Sequence, residues 1–289
     1  MSFSDKKCSI NEWFATSLGA ALLEEERQRC FKLIRSGYYP SSLQVGLSRS
    51  NFLEKVGSGF RCFVDNDKEL VSRFSTASNS RKSGQGGSGY GQGGDGWAVA
   101  NPEALPFGER THDLVVLPHT LDFSHAPHEV LRQVNQVLNP EGCVAIIGFN
   151  LFSFYGVFRG FNKHVGAAPW NGHYYSVRRV QDWLSLLGFD LVGARMMSYG
   201  LPMQNPVYRQ KLSFMDRAGD RWWPGLGGVY VIVGRKKEMS MNTVSSRGRR
   251  WRQLIPGIVK PAAQPAAQAS NQRSRRSSLR LVVDNKPIT

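Results

Sequence analysis

The stretch from Asn101 to Phe149 restricts the fold more than any other part of this chain. It reads NPEALPFGERTHDLVVLPHTLDFSHAPHEVLRQVNQVLNPEGCVAIIGF. Residues 113–117 lead from Asp113 into a short apolar run with no polar side. That pattern suits a strand buried on both faces and is too short for a core helix. Residues 126–138 place Val130, Leu131, Val134, Val137 and Leu138 on one face at helical spacing. An Asn139-Pro140-Glu141-Gly142 turn then leads into a second apolar run at 143–149. Two buried strands joined by a helix pair in parallel, because a crossover of that length returns the chain to the same edge.

The remaining segments extend this alternation. Residues 11–34 predict a helix with Phe14, Leu18, Ala21 and Leu22 inward, stopped near Gly37, and Tyr39-Pro40 marks a turn. Short strands are expected at 42–46, 60–64 and 97–100, with Asp67 capping a helix over 68–74. A helix at 176–187 ends on Gly188, and strands at 190–196 and 228–234 complete the sheet. Residues 75–96 are a Gly/Ser-rich, flexible insertion; no Gly-Lys-Ser/Thr closes it, so its glycines read as linker and not as a phosphate loop. Three regions follow: a helical segment at 1–40, a body at 41–237, and a basic tail at 238–289 whose PAAQPAAQ and RSRRSS sequences predict disorder.

Charge is unevenly distributed. The chain has a net charge of +15, yet from Arg235 onward 13 Lys/Arg face only Glu238 and Asp284, leaving 24 Lys/Arg against 20 acids in the body. The body therefore shows little of a nucleic-acid footprint. Cys8, Cys30, Cys62 and Cys143 have no CxxC spacing, which argues against a zinc or disulfide framework; Cys62 and Cys143 read as core thiols. The longest apolar stretch, 144–158, is interrupted and falls short of about 20 residues, so no membrane span is expected and a cytoplasmic protein is.

The Leu105-Pro106-Phe107 turn, the two buried strands and the helix between them resemble the second half of the class I S-adenosylmethionine-dependent methyltransferases, near their type 11 branch. The closing helix–strand–strand unit is similar to that family's antiparallel seventh strand, and the resemblance covers residues 11–237. It implies an α/β fold: a Rossmann-like seven-stranded methyltransferase sheet, mostly parallel with an antiparallel last strand, and helices on both faces. It also implies S-adenosyl-L-methionine as cofactor and methyl transfer to a small or medium organic acceptor. Carried over residue by residue, the family's cofactor contacts fall on strand ends. Gly46 takes the glycine-loop position, although VGLSRSN keeps one glycine of the usual several. Asp65 takes the ribose position, with Asp67 as an alternative whose simpler role is capping. Asn101 stands where the family has Asp at the adenine edge; Pro102 offers no N–H, which shifts adenine contact toward Glu103 and the Ala104 amide. Pro118 and His119 end the fourth strand. Pro-His-Thr departs from the motif of nucleobase amino methylation, and His119 is the candidate base for an acceptor proton.

Other constellations carry less. His112, His119, His125 and His128 fit no helical ligand pair, so no metal site is expected. The aromatic loop 150–175 reads either as a lid over an organic acceptor or as a satellite hydrophobic cluster. Trp13 and Thr16 either close the pocket or pack in the core. In the tail, Arg247, Arg249, Arg250 and Arg252 flank Trp251, and Arg273, Arg275 and Arg276 precede two serines. That allows weak contact with nucleic acid or an anionic surface. The alternative to an enzyme is a non-catalytic descendant of the fold that binds or scaffolds, RNA-associated through this tail.

Overall fold

The computed structural model describes residues 10–34, 37–73, 94–162, 169–200, 219, 221–223 and 225–237. Of the linker expected at 75–96, residues 75–93 lie outside them, as does the tail at 238–289, while Asp95 and Gly96 open a strand. Helix α1 is Ser17–Ile34, followed by β1 Tyr38–Val45, β2 Gly57–Asp65, β3 Asp95–Val99 and β4 His112–Pro118. After these come α2 Thr120–Phe123, α3 Pro127–Val137, β5 Leu138–Phe149, α4 Phe154–Asn162, α5 Val177–Leu186, β6 Phe189–Met197 and β7 Val229–Lys236. The seven strands form one sheet in the order β3-β2-β1-β4-β5-β7-β6. The pairings of β1 through β5 are parallel, and β7 runs antiparallel to both β5 and β6. This is the methyltransferase-type α/β sheet, and its order reverses between β1 and β4.

Alternate residues of the central strands feed two cores. Leu114, Val116, Ala145 and Ile147 face α1 and the loop after β1. Val115, Leu117, Val144 and Ile146 face α3 and α5. Each large aliphatic side chain so buried contributes roughly 1.5–3 kcal/mol, which explains why these strands carry no polar side. Cys30, Cys62 and Cys143 are buried free thiols.

Three local features position the site. The helix expected over 11–34 is broken: residues 10–14 form one turn and α1 begins at Ser17. Thr16 causes the break, because its hydroxyl accepts from the Gly19 amide at 3.2 Å and donates to the Trp13 carbonyl at 2.7 Å. Asp67 caps residues 68–73 by accepting from the Glu69 and Leu70 amides. Residues 139–142 do not separate two elements; they lie within β5 as a bulge, where the β4–β5 register shifts between His112 and Leu114. Asn139 donates to Asp113 at 2.7 Å and anchors it.

Candidate functional site at the carboxyl ends of the strands

The parallel strands point their carboxyl ends to one edge, and the candidate residues lie along it. β1 ends in Val45, and Gly46 follows at φ 94 with Leu47 at φ 46. Two successive positive φ values turn the chain sharply, and glycine takes the first without a Cβ penalty. Buried Gln44 holds the loop in shape. Its amide nitrogen, Nε2, donates to the carbonyls of Gly46 (3.2 Å), Leu47 (3.3 Å) and Ser50 (2.7 Å), while its Oε1 accepts from Phe52 N–H at 3.0 Å. A single amide side chain thus replaces much of the order that several glycines would leave to a ligand.

Asp65, at the end of β2, is fully buried. Its Oδ2 accepts from the Ser48 amide (3.1 Å) and the Ser48 hydroxyl (2.7 Å), and its Oδ1 accepts from the Asp67 amide at 3.1 Å. These donors stabilise the carboxylate from within its own neighbourhood. Beyond β3, Asn101 is exposed and forms a tight turn: its side-chain oxygen accepts from Glu103 N–H, and its carbonyl accepts from the Ala104 amide at 2.9 Å. Glu103 Oε1 accepts from Ser124 Oγ, His125 N–H and Ala126 N–H at 2.8–3.1 Å. Partial burial works against its charge, but these bonds, Ser124's foremost, carry its pKa below the ordinary value. Glu103 therefore serves the amide groups leading into α3.

β4 ends differently. Pro118 is its last residue, and His119 adopts φ 53, a left-handed conformation that is costly for a residue with a Cβ. Its backbone amide donates to Ile147 O at 2.9 Å. Its ring reaches two carboxylates, Nδ1 to Asp122 Oδ2 at 2.9 Å and Nε2 to Glu26 Oε1 at 3.1 Å. Asp122 Oδ2 also accepts from Phe149 N–H at 2.9 Å. All three side chains are buried. Burial would lower the pKa of His119, but the charges of Glu26 and Asp122 and their hydrogen bonds raise it to about 9. Burial likewise raises the pKa of Asp122, against the pull of His119. The two carboxylates favour the protonated imidazole, in which each ring nitrogen donates to one of them.

Aromatic rings enclose this triad. Phe149 lies 4.3 Å from the His119 ring and Phe14 lies 5.3 Å from it, measured between centroids. Tyr155 and Tyr174 stack on Phe149 at 5.8 and 5.0 Å, and Trp13 meets it edge-on at 6.0 Å. Loop 150–175 is consequently split: Tyr155 and Tyr174 join the main core, whereas Phe152 and Phe161 face solvent. Trp13 is a core residue and Thr16 a helix cap. Tyr230 packs its hydroxyl where a Cβ on Gly148 would stand, 2.5 Å from that position, and Asp122 Oδ1 lies 3.1 Å from the same point. Tyr230 Oη, Asp122 Oδ1 and Glu26 Oε2 are buried without hydrogen-bond partners.

The other histidines go elsewhere: His112 Nδ1 meets Ser41 Oγ at 2.7 Å, and the His128 ring packs against Trp183. An open pocket of about 370 Å³, lined by Glu109, Arg110, Arg132, Asn135, Gln136 and Lys236, lies at the opposite, amino edge of the parallel strands.

Thr120 links the strand ends, since its hydroxyl donates to Val45 O at 2.5 Å. Ala100 N–H donates to Asp65 O at 3.1 Å, placing the β3 end beside the β2 end. Gly46, Asp65 and His119 are thus neighbours across one edge, with Asn101, Glu103 and Ala104 at its β3 side. Gln44, Ser48, Glu26 and Asp122 were not singled out from sequence. Glu26 did leave a signal: Leu18, Leu22, Glu26, Cys30 and Ile34 recur at four-residue spacing, which puts an acid on the buried stripe of α1.

Comparison with known proteins agrees with this architecture. Residues 50–146 match the family model described as a methyltransferase domain. The chain is 31% identical over 142 residues to the uncharacterized protein YafS of Escherichia coli K12; the match spans 49% of this chain and 55% of that protein, about half of each. Among solved structures, a Thermotoga maritima S-adenosylmethionine-dependent methyltransferase, a possible histamine N-methyltransferase, aligns with TM-score 0.54 at 18% identity, covering 78% of this chain and 93% of its own. The N-methyltransferase NodS of Bradyrhizobium japonicum, in complex with S-adenosylhomocysteine, aligns with TM-score 0.51 at 13% identity, covering 78% and 90%. At these identities the structural likenesses establish the fold.

Proposed function

We propose, from the premise that this chain carries a class I methyltransferase domain with S-adenosylmethionine as its cofactor, that it transfers a methyl group to a small or medium organic acceptor. The observation that carries this reading is the grouping of Gly46, Asp65 and His119 at one sheet edge, where the strand order reverses between β1 and β4. The residue types fit the cofactor: an acid at the β2 end for ribose hydroxyls, a positive-φ glycine for close backbone approach, and apolar walls. In the present hydrogen bonding, Ser48 holds the acceptor positions on Asp65 that ribose would take. Binding then requires the 46–50 loop to release Asp65. Asn101, Glu103 and the Ala104 amide border the adenine side, with their own turn and cap bonds to exchange.

Bound S-adenosylmethionine supplies a methyl group already activated by its sulfonium, so the protein's task is alignment in a dry site. His119, holding its proton between two carboxylates, positions α1 over the strand ends; it is not proposed as the base that the sequence suggested. The unpartnered Tyr230 hydroxyl and Asp122 Oδ1 are the polar groups proposed to orient an acceptor that parts the aromatic cover. In this reading residues 41–237 contain the catalytic body, α1 covers it, and the basic residues of 238–289 touch nucleic acid or anionic surfaces. Among the described residues no helix is long and apolar enough to cross a membrane, and the cytoplasm is the proposed setting.

A second reading, a non-catalytic binding or scaffolding protein, is favoured by the internal bonding of Asp65. Calorimetric titration separates the two. Heat of binding with both S-adenosylmethionine and S-adenosylhomocysteine supports the enzyme; none at millimolar ligand removes it. RNA retention unchanged by deleting the tail removes a tail-borne RNA role.

A further inference from the structure

The carboxyl end of β5 opens onto an apolar surface that methyl transfer does not explain. Helix α4 buries Tyr155 but turns Val157 and Phe161 outward, and Phe161 is 80% exposed. Phe152, just before the helix, is 64% exposed. Trp222 and Trp223 stand out at 72% and 57%, with Leu226 beside them. Asn150 holds the two segments side by side. Its side-chain amide donates to the carbonyls of Phe152 (3.1 Å), Gly225 (3.0 Å) and Gly227 (3.0 Å). Leu226 N–H returns to Trp223 O at 3.0 Å, which fixes the tryptophans to the same fold of chain. Exposed apolar groups clustered in this way mark an interaction surface.

Charge selects the occupant. Residues 150–175 contain Arg159 and Lys163 and no Asp or Glu, and Asp220 offsets Arg221 beside the tryptophans, so the sequence of this face is net positive. A second copy would set like charge against like charge. An anionic lipid surface would complement it, and Trp and Phe are the side chains that settle at the boundary between headgroups and acyl chains. We propose that this face docks on the surface of a bilayer containing anionic lipid, with α4 lying in the interface and the aromatic side chains inserted. The proposal stands apart from the methyl-transfer reading, since it concerns a surface and not the strand-end site.

The full chain is sedimented with vesicles of phosphatidylcholine and phosphatidylglycerol in equal parts, and with vesicles of phosphatidylcholine alone. Two variants accompany it: Phe152→Ser/Phe161→Ser/Trp222→Ser, and a tail variant with Arg247, Arg249, Arg250 and Arg252 changed to serine. The replaced aromatics are exposed, so an unchanged thermal melt certifies the fold. The proposal expects binding to the anionic vesicles that weakens by on the order of tenfold or more in the aromatic variant, with the tail intact. It is overturned if the aromatic variant binds as the parent does, if only the tail variant loses binding, or if the parent does not bind anionic vesicles. Equally contrary is a parent dimer in sedimentation equilibrium that the aromatic substitutions convert to monomer while vesicle binding stays unchanged, which would assign the face to a second copy.

Discussion

Two strand ends on the same edge bury ionisable groups in opposite ways. Asp65, at the end of β2, is satisfied by dipoles supplied within 17 residues, the Ser48 amide and hydroxyl and the Asp67 amide. His119, after β4, is satisfied by full charges, one of them on Glu26, 93 residues away on α1. Dipoles on a short loop can be exchanged for those of a ligand at little net cost, because one hydrogen bond replaces another. A buried charge held by a distant helix cannot be exchanged without undocking that helix. The first arrangement is suited to a binding site and the second to a structural clamp.

The sharpest way to break this contrast is to remove the distant charge. Glu26→Ala is expected to cost about 3–5 kcal/mol of stability, since it strips one partner from a buried imidazolium, and urea denaturation measures it. A loss under 1 kcal/mol would show that the clamp does not hold α1.

The next effect is pH dependence. His119 has its pKa raised from 6.5 to about 9 in the folded chain, so the folded state holds this proton more tightly than the unfolded one. Its contribution is fully present below pH 6.5 and is lost as pH rises through about 9, amounting to about 3 kcal/mol. Asp122, also raised, acts in the same direction at acid pH. Denaturation midpoints should fall between pH 6.5 and 9 in the parent and lose that slope in His119→Gln.

The smallest effect tests the exchangeable end. Ser48→Ala removes one hydroxyl donor from Asp65 and should cost about 1 kcal/mol of stability. Because the proposed binding mode sets the ribose where that hydroxyl now bonds, the same change should tighten S-adenosylmethionine binding several-fold, to about tenfold at most. Calorimetry reads the affinity; weaker binding would mean that Ser48 assists the ligand and does not compete with it.

How much was legible in the sequence follows the same division. The central strands β4, β5 and β7 declared themselves because both faces are buried along apolar runs, as in Val144, Ala145, Ile146 and Ile147. Asp67 and Gly188 were readable because capping is local: Asp67 accepts from amides two and three residues on, and Gly188 takes φ 83 after α5. The clamp was not readable, because nothing near His119 names Glu26. An acid among Glu24, Glu25 and Glu26 looks like a solvated run until its place on the buried stripe of α1 is noticed. The break at Thr16 was hidden for another reason: the apolar spacing continues across it, and only the hydroxyl's bonds interrupt the helix. The single glycine at 46 suggested a weakened loop, whereas Gln44 supplies its order from inside the strand.

The most direct test of the central claim is a paired titration of S-adenosylmethionine into the parent and into Asp65→Asn, each checked for folding by its thermal melt. Asparagine keeps the shape but loses the charged acceptor, so the account predicts one binding event in the parent and an affinity lower by about tenfold or more in the variant. Equal affinity in the two proteins would contradict it, and would place the nucleoside away from the end of β2.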